Sequence, residues 1–346
     1  PHGIPRWQNC LTAGFPAVAS STLSAPMDPR RFFPLPLLFL LLFGLSPAIA
    51  TPETIEDLYD PAYAPFYHGV ASGDPLPDGV ILWTRVTPKN AKQKNVSVQW
   101  EFATDPAMRR VVGRGSERTS AASDYTVKLD VRGLLPGTTY YYRFKAYGRT
   151  SIVGKTKTAP ASIVDQLKFA VVSCSNYEWG YFSGYDAIAK RTDLDAVIAL
   201  GDYFYEYADN DSYSSEVIRD ERVVFPAHET ITLEDYRLRL STYRLDPNLR
   251  RAHQQHPFIA IWDDHESAND SWVGGAENHD PATEGDWEDR KAASRQAYFE
   301  WMPIRQDGIS IARTLRYGPL LDLVMIDTRL EGRDEQIFNI ADPALY

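Results

Sequence analysis

The chain has 346 residues, 44% of them hydrophobic, and a formal net charge of −10. That length gives room for two domains with buried cores. The acidic balance argues against a nucleic-acid partner, which needs a basic surface.

The first residue is Pro, and the first methionine, Met27, opens the segment MDPRRFFPLPLLFLLLFGLSPAIA. Arg30 and Arg31 precede an apolar stretch over residues 35–45, and Ala48-Ile49-Ala50 fits a small-residue cleavage site. This layout predicts a signal peptide over residues 27–50 and a secreted, periplasmic or extracellular protein. The apolar stretch is too short for a spanning helix, so no stable membrane span is expected after cleavage. An uncleaved anchor is the alternative. Residues 1–26 read as upstream or artefactual sequence. Cleavage would remove Cys10 and leave Cys174 as a lone thiol, unable to form an internal disulfide.

Residues 66–158 read as all-β. VSVQWEFA and YYYRFKAYG alternate and carry β-branched or aromatic side chains. Turn signals fall at Pro75, at Pro77-Asp78-Gly79 and at Leu135-Pro136-Gly137. In GLLPGTTYYYRF a tyrosine follows a Pro-Gly turn, the placement of a sandwich domain's tyrosine corner. A fibronectin-like β-sandwich is expected over residues 51–160.

From residue 161 to 346 strands alternate with helices, which predicts a layered α/β domain. GYFSGYDAIAKR is expected to be a helix. TLEDYRLRLSTYRL is another, with Thr232 as its cap and acids in its first turn. EGDWEDRKAASRQAYFEWM is a third, stopped by Pro303. Residues 209–228 have no clear period and read as a long loop.

Four apolar runs, LKFAVVSCSN, LDAVIALGDYFYEY, PFIAIWDDHESAND and LLDLVMIDTR, each end on acidic or metal-seeking side chains. Runs this continuous suit parallel strands buried on both faces. A ligand site then lies beyond their carboxyl ends.

Cys174 sits at the end of the first run, where a thiolate can ligate a metal; a buried core cysteine is the alternative. Gly201 permits a sharp turn that holds Asp202 beyond the sheet, able to bridge two cations. Tyr205 lies three residues on, within reach of the same metal if a helix begins there. Alternatively Asp202 caps a helix and Tyr205 packs in the core. Asp263-Asp264-His265-Glu266 is costly to hold near a core without a counter-charge. His265 can ligate or donate a proton to a leaving group. Asn269 opens a glycosylation sequon, as do Asn95 and Asn210, and a glycan there would exclude a ligand role. Arg329 can bind a phosphate oxygen bidentately or pair with a structural aspartate. No Walker loop, G-x-G-x-x-G or G-x-S-x-G is present to support a nucleotide-fold or serine-hydrolase reading.

The succession FYHGVASGDPLPDGVILWTRVTP, SCSNYEWGYFSGYDAIA, ALGDYFYEY, WDDHESAND and MIDTR resembles the PhoD-like alkaline phosphatases, metallophosphoesterases related to the calcineurin-type superfamily. The resemblance runs from residue 66 to the end. It implies a β-sandwich followed by a metallophosphoesterase domain that releases phosphate from monoesters, and often diesters, with iron and calcium as cofactors. It further implies that Cys174, Asp202 and Tyr205 are iron ligands. Asp264 and Asn269 are metal positions, and His265 takes the role of the superfamily's Asn-His motif. A later Gly-Asp-x-His ligand motif of the family does not occur before Tyr346, so a partial metallophosphoesterase domain is expected.

The expected function is a secreted metal-dependent phosphatase acting on small-molecule phosphate esters through a metal-bound hydroxide. Asp202 and His265 are the catalytic residues and Arg329 the substrate-binding one. The alternatives are a phospholipase D-like phosphodiesterase and an inactive secreted binding protein.

Overall fold

The computed structural model describes residues 51–90, 92–209 and 222–337. All fall in one compact unit, Ile49–Tyr346. The expected signal peptide, the sequon at Asn210 and most of the loop expected over residues 209–228 lie outside the described residues.

The strands run in chain order as β1 Val70–Leu76, β2 Gly79–Arg85, β3 Asn95–Ala103, β4 Val111–Ser120, β5 Thr126–Arg132, β6 Thr139–Ala146, β7 Arg149–Thr150 and β8 Gly154–Lys157. They continue as β9 Phe169–Val172, β10 Ala196–Ala199, β11 Pro257–Ala260, β12 Arg313–Tyr317 and β13 Leu321–Met325. The helices are α1 Ser183–Ala189, α2 Leu233–Leu245, α3 Pro247–Gln255, α4 Pro281–Glu284 and α5 Trp287–Trp301.

The alternation read in the sequence becomes pleat. Strand β6 buries every second residue, Tyr140, Tyr142, Phe144 and Ala146. These pack with Val96, Val98 and Phe102 of β3 against Val70, Val80, Leu82, Val127 and Leu129 of β1, β2 and β5. The result is the N-terminal β-sandwich. Its corner forms as expected: Tyr140 Oη accepts the Leu135 amide at 2.9 Å.

One sheet of this sandwich does not stop at the expected boundary near residue 160. Its strand order is β5-β2-β1-β11-β10-β9, so β1 pairs in parallel with β11 through Ser72–Pro257 and Gly73–Phe258. Strands β9, β10 and β11 are parallel to one another. Trp83 of β2 is fully buried and donates its indole N–H to the Glu300 carbonyl of α5 at 2.8 Å. Burying a tryptophan covers on the order of 200 Å², worth about 5 kcal/mol before chain entropy is counted. The two halves are thus joined by both sheet pairing and core packing.

The three helices expected from sequence are present as α1, α2 and α5. Thr232 caps α2 with a reciprocal box: its Oγ1 accepts the Asp235 amide, and Asp235 accepts the Thr232 amide. Helix α5 ends at Trp301, two residues before Pro303. Helix α3 was not anticipated; Asp246 caps it and Pro247 opens it.

The first and fourth apolar runs depart from expectation: β9 is an edge strand with Val171 exposed, because nothing pairs with its outer side among the described residues. Strand β13 pairs antiparallel with β12 in a separate two-stranded sheet and buries only Met325 fully. Leu321-Asp322-Leu323-Val324 alternates in exposure, so the run is a half-covered hairpin strand. No helix among the described residues is long and apolar enough to cross a membrane.

Candidate metal centre

The strand-end loops of β9, β10 and β11 are tied to one another. Leu200 donates to the Val172 carbonyl, Ile261 to the Ala199 carbonyl, Cys174 to the Gly201 carbonyl and Ser175 to the Asp202 carbonyl. Cys174 and Asp202 both adopt left-handed backbone, at φ +54° and +49°. Such strain in non-glycine residues persists where the surroundings enforce it.

No helix follows Asp202; the chain from 202 to 208 is irregular and held from behind by α2. Tyr243 Oη accepts the Tyr205 amide, and Arg239 donates to the Tyr205 carbonyl. The Tyr205 hydroxyl donates to Asp202 Oδ2 at 3.4 Å. The helix-cap alternative for Asp202 is therefore not what the chain adopts.

A third loop, 263–270, closes on this one. Glu266 is buried, and its carboxylate accepts the amides of Asp202 (3.1 Å), Tyr203 (2.5 Å) and Asp263 (2.7 Å). One acid thus pins both metal-facing loops. Burial, then the charge of Asp202, pushes Glu266 up to about 8 against those three donors.

Asp202, Asp264 and His265 come together, with one potential ligand atom from each lying within 4.8 Å of the others. All three are buried. Asp202 Oδ1 is buried and has no hydrogen-bond partner among the described residues. Burial raises the Asp202 pKa; His265 opposes the rise, while Asp264 and Asp263 add to it. The Cys174 thiol is also raised, by burial and by Asp202, although the residue as a whole sits exposed at the rim. A surplus of negative charge with an orphaned carboxylate oxygen is what a cation site looks like before the cation is counted.

His265 is fixed from the far side. Its Nδ1 lies 2.8 Å from Glu206 Oε2, and Glu206 is fully buried. Its ring centroid lies 4.3 Å from that of Tyr205. Burial opposes charge on the imidazole, but the hydrogen bond and charge of Glu206, with Asp264 and Asp202, outweigh it and lift the pKa to about 9. The contact at Nδ1 fixes the orientation of the ring.

Asn269 donates its backbone amide to Glu206 Oε1 (2.6 Å) and its Nδ2 to Glu277 (2.9 Å). Arg329 stands against carboxylates: Nε is 2.5 Å from Asp263, Nη2 3.2 Å from Asp264 and Nη1 3.5 Å from Asp270. Of the two readings of Arg329, the structure displays the aspartate-paired one. The other described histidines have structural surroundings. Among them, His253 bonds to Tyr203, His256 to the Ile188 carbonyl and His228 to Asp235.

Sequence reading missed Glu206 and Asn278, which donates to Glu206. The available signal was an acid within the aromatic run YFYEY, since a carboxylate there needs donors.

Comparison with known families matches residues 169–344 to the PhoD-like phosphatases and residues 53–160 to the N-terminal domain of the same family. Alkaline phosphatase D of Bacillus subtilis (strain 168) is 40% identical over 289 residues, 80% of this chain and 48% of that protein. A solved structure of PhoD matches at a TM-score of 0.72 and 39% identity, over 80% of this chain and 54% of that one. A purple acid phosphatase, PPD1 from yellow lupin seeds, matches at a TM-score of 0.46 and 14% identity, over 78% of this chain and 46% of that one. The chain spans about half the length of the relatives it matches.

Proposed function

The chain belongs to the PhoD-like phosphatase family, and from that premise we propose that it hydrolyses phosphate esters at the Asp202–Asp264–His265 centre with bound metal ions. The observation that carries this reading is the approach of those three ligand groups within 4.8 Å. The orphaned Oδ1 of Asp202 fits a cation, and so does the donor set around it. Cys174 and Tyr205 beside Asp202 offer a thiolate and a phenolate, a set suited to iron. Asp264 and Asn269 offer oxygen atoms suited to calcium. Asp202, which accepts the Tyr205 hydroxyl and groups with Asp264, would serve both sets of donors.

When bound, such ions neutralise the phosphate and make hydroxide available near neutral pH. The protein's own residues then do the following. Asp202 and Asp264 hold their oxygens rigidly, because Glu266 and the Asp270 amide fix the loops that carry them. His265, with Nδ1 fixed by Glu206, is placed to give a proton to the ester oxygen as the phosphorus–oxygen bond breaks. Glu206 stabilises the ring's charge before that transfer. Phosphomonoesters are the proposed substrates, with diesters as a second class.

Export through residues 27–50 and the division of the chain at residue 160 belong to the same proposal. Metal analysis and an aryl phosphate assay test it. Purified protein is expected to contain iron and to release phosphate, and Asp202→Ala to abolish both. Full activity in metal-free protein would overturn it, as would a protein that folds tightly with neither metal nor hydrolysis.

A further inference from the structure

The Glu206 carboxylate that holds His265 is itself held, and the groups that hold it lead to helix α5. Asn278 Nδ2 donates to Glu206 Oε1 at 3.4 Å and to Glu229 Oε1 at 2.9 Å. The same Glu229 oxygen accepts Arg290 Nη2 at 2.6 Å. Arg290 Nη1 donates to the Asn278 carbonyl at 2.9 Å and to Glu284 at 2.8 Å, and its Nε donates to Tyr236 Oη at 3.1 Å. Tyr236 in turn donates to the Ser267 carbonyl, inside the 263–270 loop, at 2.5 Å.

The Arg290 side chain has no solvent exposure. A guanidinium buried this completely is costly unless its donors are matched, and here each nitrogen has an acceptor. Two of those acceptors, Glu229 and Asn278, stand directly behind Glu206. The Glu229 pKa is raised, by burial first and in part by the charge of Glu206, so the two carboxylates repel across Asn278. Arg290 supplies the positive charge that lets them stand so close. It also grips Asn278 at the backbone and through Glu229, which aims the Asn278 amide at Glu206. That amide and the Asn269 amide share Oε1. Oε2 faces His265 Nδ1.

We propose that Arg290 is a positioning residue for the His265 imidazole, acting through Asn278 and Glu229 on Glu206. This deepens the phosphatase reading, because an oriented Nε2 matters only if His265 works at the metal centre. The hydrogen-bond relay itself stands or falls without catalysis. Removing the grip leaves the ring in place but loosens its Nδ1–H bond, since Glu206 then turns toward other donors or is pushed off by Glu229. Arg290→Lys keeps the charge but cannot reach Glu229, Asn278, Glu284 and Tyr236 together. Asn278→Ala removes the amide at a half-buried position and spares Arg290.

The test is nitrogen-15 NMR of the histidine ring in the metal-free protein, read as solvent exchange of the His265 Nδ1–H. Arg290→Lys and Asn278→Ala are expected to speed that exchange about tenfold, the factor carried by one weakened charge-assisted hydrogen bond. Amide exchange in the middle of α2 is expected to stay unchanged, which a general loosening would not allow. Glu206→Gln sets the scale of a directly altered partner. Unchanged Nδ1–H exchange in a cooperatively melting Asn278→Ala protein would overturn the proposal, whatever Arg290→Lys does. A parallel rise in α2 exchange would overturn it too, because Arg290 would then be an ordinary core residue. Loss of ester hydrolysis with the exchange pattern intact would count against the catalytic reading only.

Discussion

A Cβ on Gly201 would lie 2.4 Å from the backbone nitrogen of Asp263. Gly201 also has φ +106°, a conformation that L side chains rarely adopt. The two loops that carry Asp202 and Asp264 therefore meet at a point where only hydrogen fits. Gly201→Ala is expected to destabilise the protein by about 3 kcal/mol and to weaken metal binding at least as strongly. A melting curve with and without added metal measures both. Unchanged metal affinity would show that the loops can separate without harm.

Arg329 is engaged by Asp263, Asp264 and Asp270. Arg329→Met strands three acids, and the metal-free protein is expected to lose about 3 kcal/mol. Added cation should restore much of that loss, so the thermal shift on metal addition grows. If Arg329 instead binds the substrate phosphate, the variant's KM for an aryl phosphate rises while the metal-induced shift stays as in the parent. The two measurements separate those roles.

Tyr140→Phe removes the acceptor for the Leu135 amide in the sandwich corner. The expected cost is about 1 kcal/mol of stability. The corner belongs to the sandwich core cluster, and the loops that carry Asp202 and Asp264 adjoin the other one, so metal affinity is expected to hold. Chemical denaturation and metal titration on the same preparation check both halves of this expectation.

Burial pushes His256 down to about 4, and its Nε2–H is donated to the Ile188 carbonyl in the neutral form. The unfolded chain takes up this proton near pH 6.5, whereas the folded protein resists it until about pH 4. Stability from this group is therefore complete above pH 6.5 and falls as the pH drops through that window. The loss amounts to up to about 3 kcal/mol. His256→Gln, which keeps a donor, should flatten the curve between those limits. A parent and variant that lose stability in parallel there would assign the acid sensitivity to other groups, such as the fully buried His68 and His253.

The loops around Asp202 and Asp264 were legible in the sequence because each follows an apolar run that the sheet buries. An acid at the end of such a run has few places to go. The Thr232 cap and the tyrosine corner were legible because each is written within a few residues. Glu206 was not, since its partners His265 and Asn269 lie 59 and 63 positions away. Arg329 had two readings because a sequence shows a guanidinium but not the carboxylates that reach it. Strand β13 was misjudged because its run of leucine, valine and methionine masks a half-covered alternation around Asp322. The pairing of β1 with β11 joins segments more than 180 positions apart, and no local pattern encodes it.

That pairing has a bearing on how the protein melts and how it can be cut. A module excised at residue 160 would bare the hydrogen-bonding edge of β1, and the remainder would bare that of β11. Open edges of that kind invite association with other chains. Heat should accordingly dismantle both halves in one cooperative step, and neither is expected to survive alone as a well-behaved monomer.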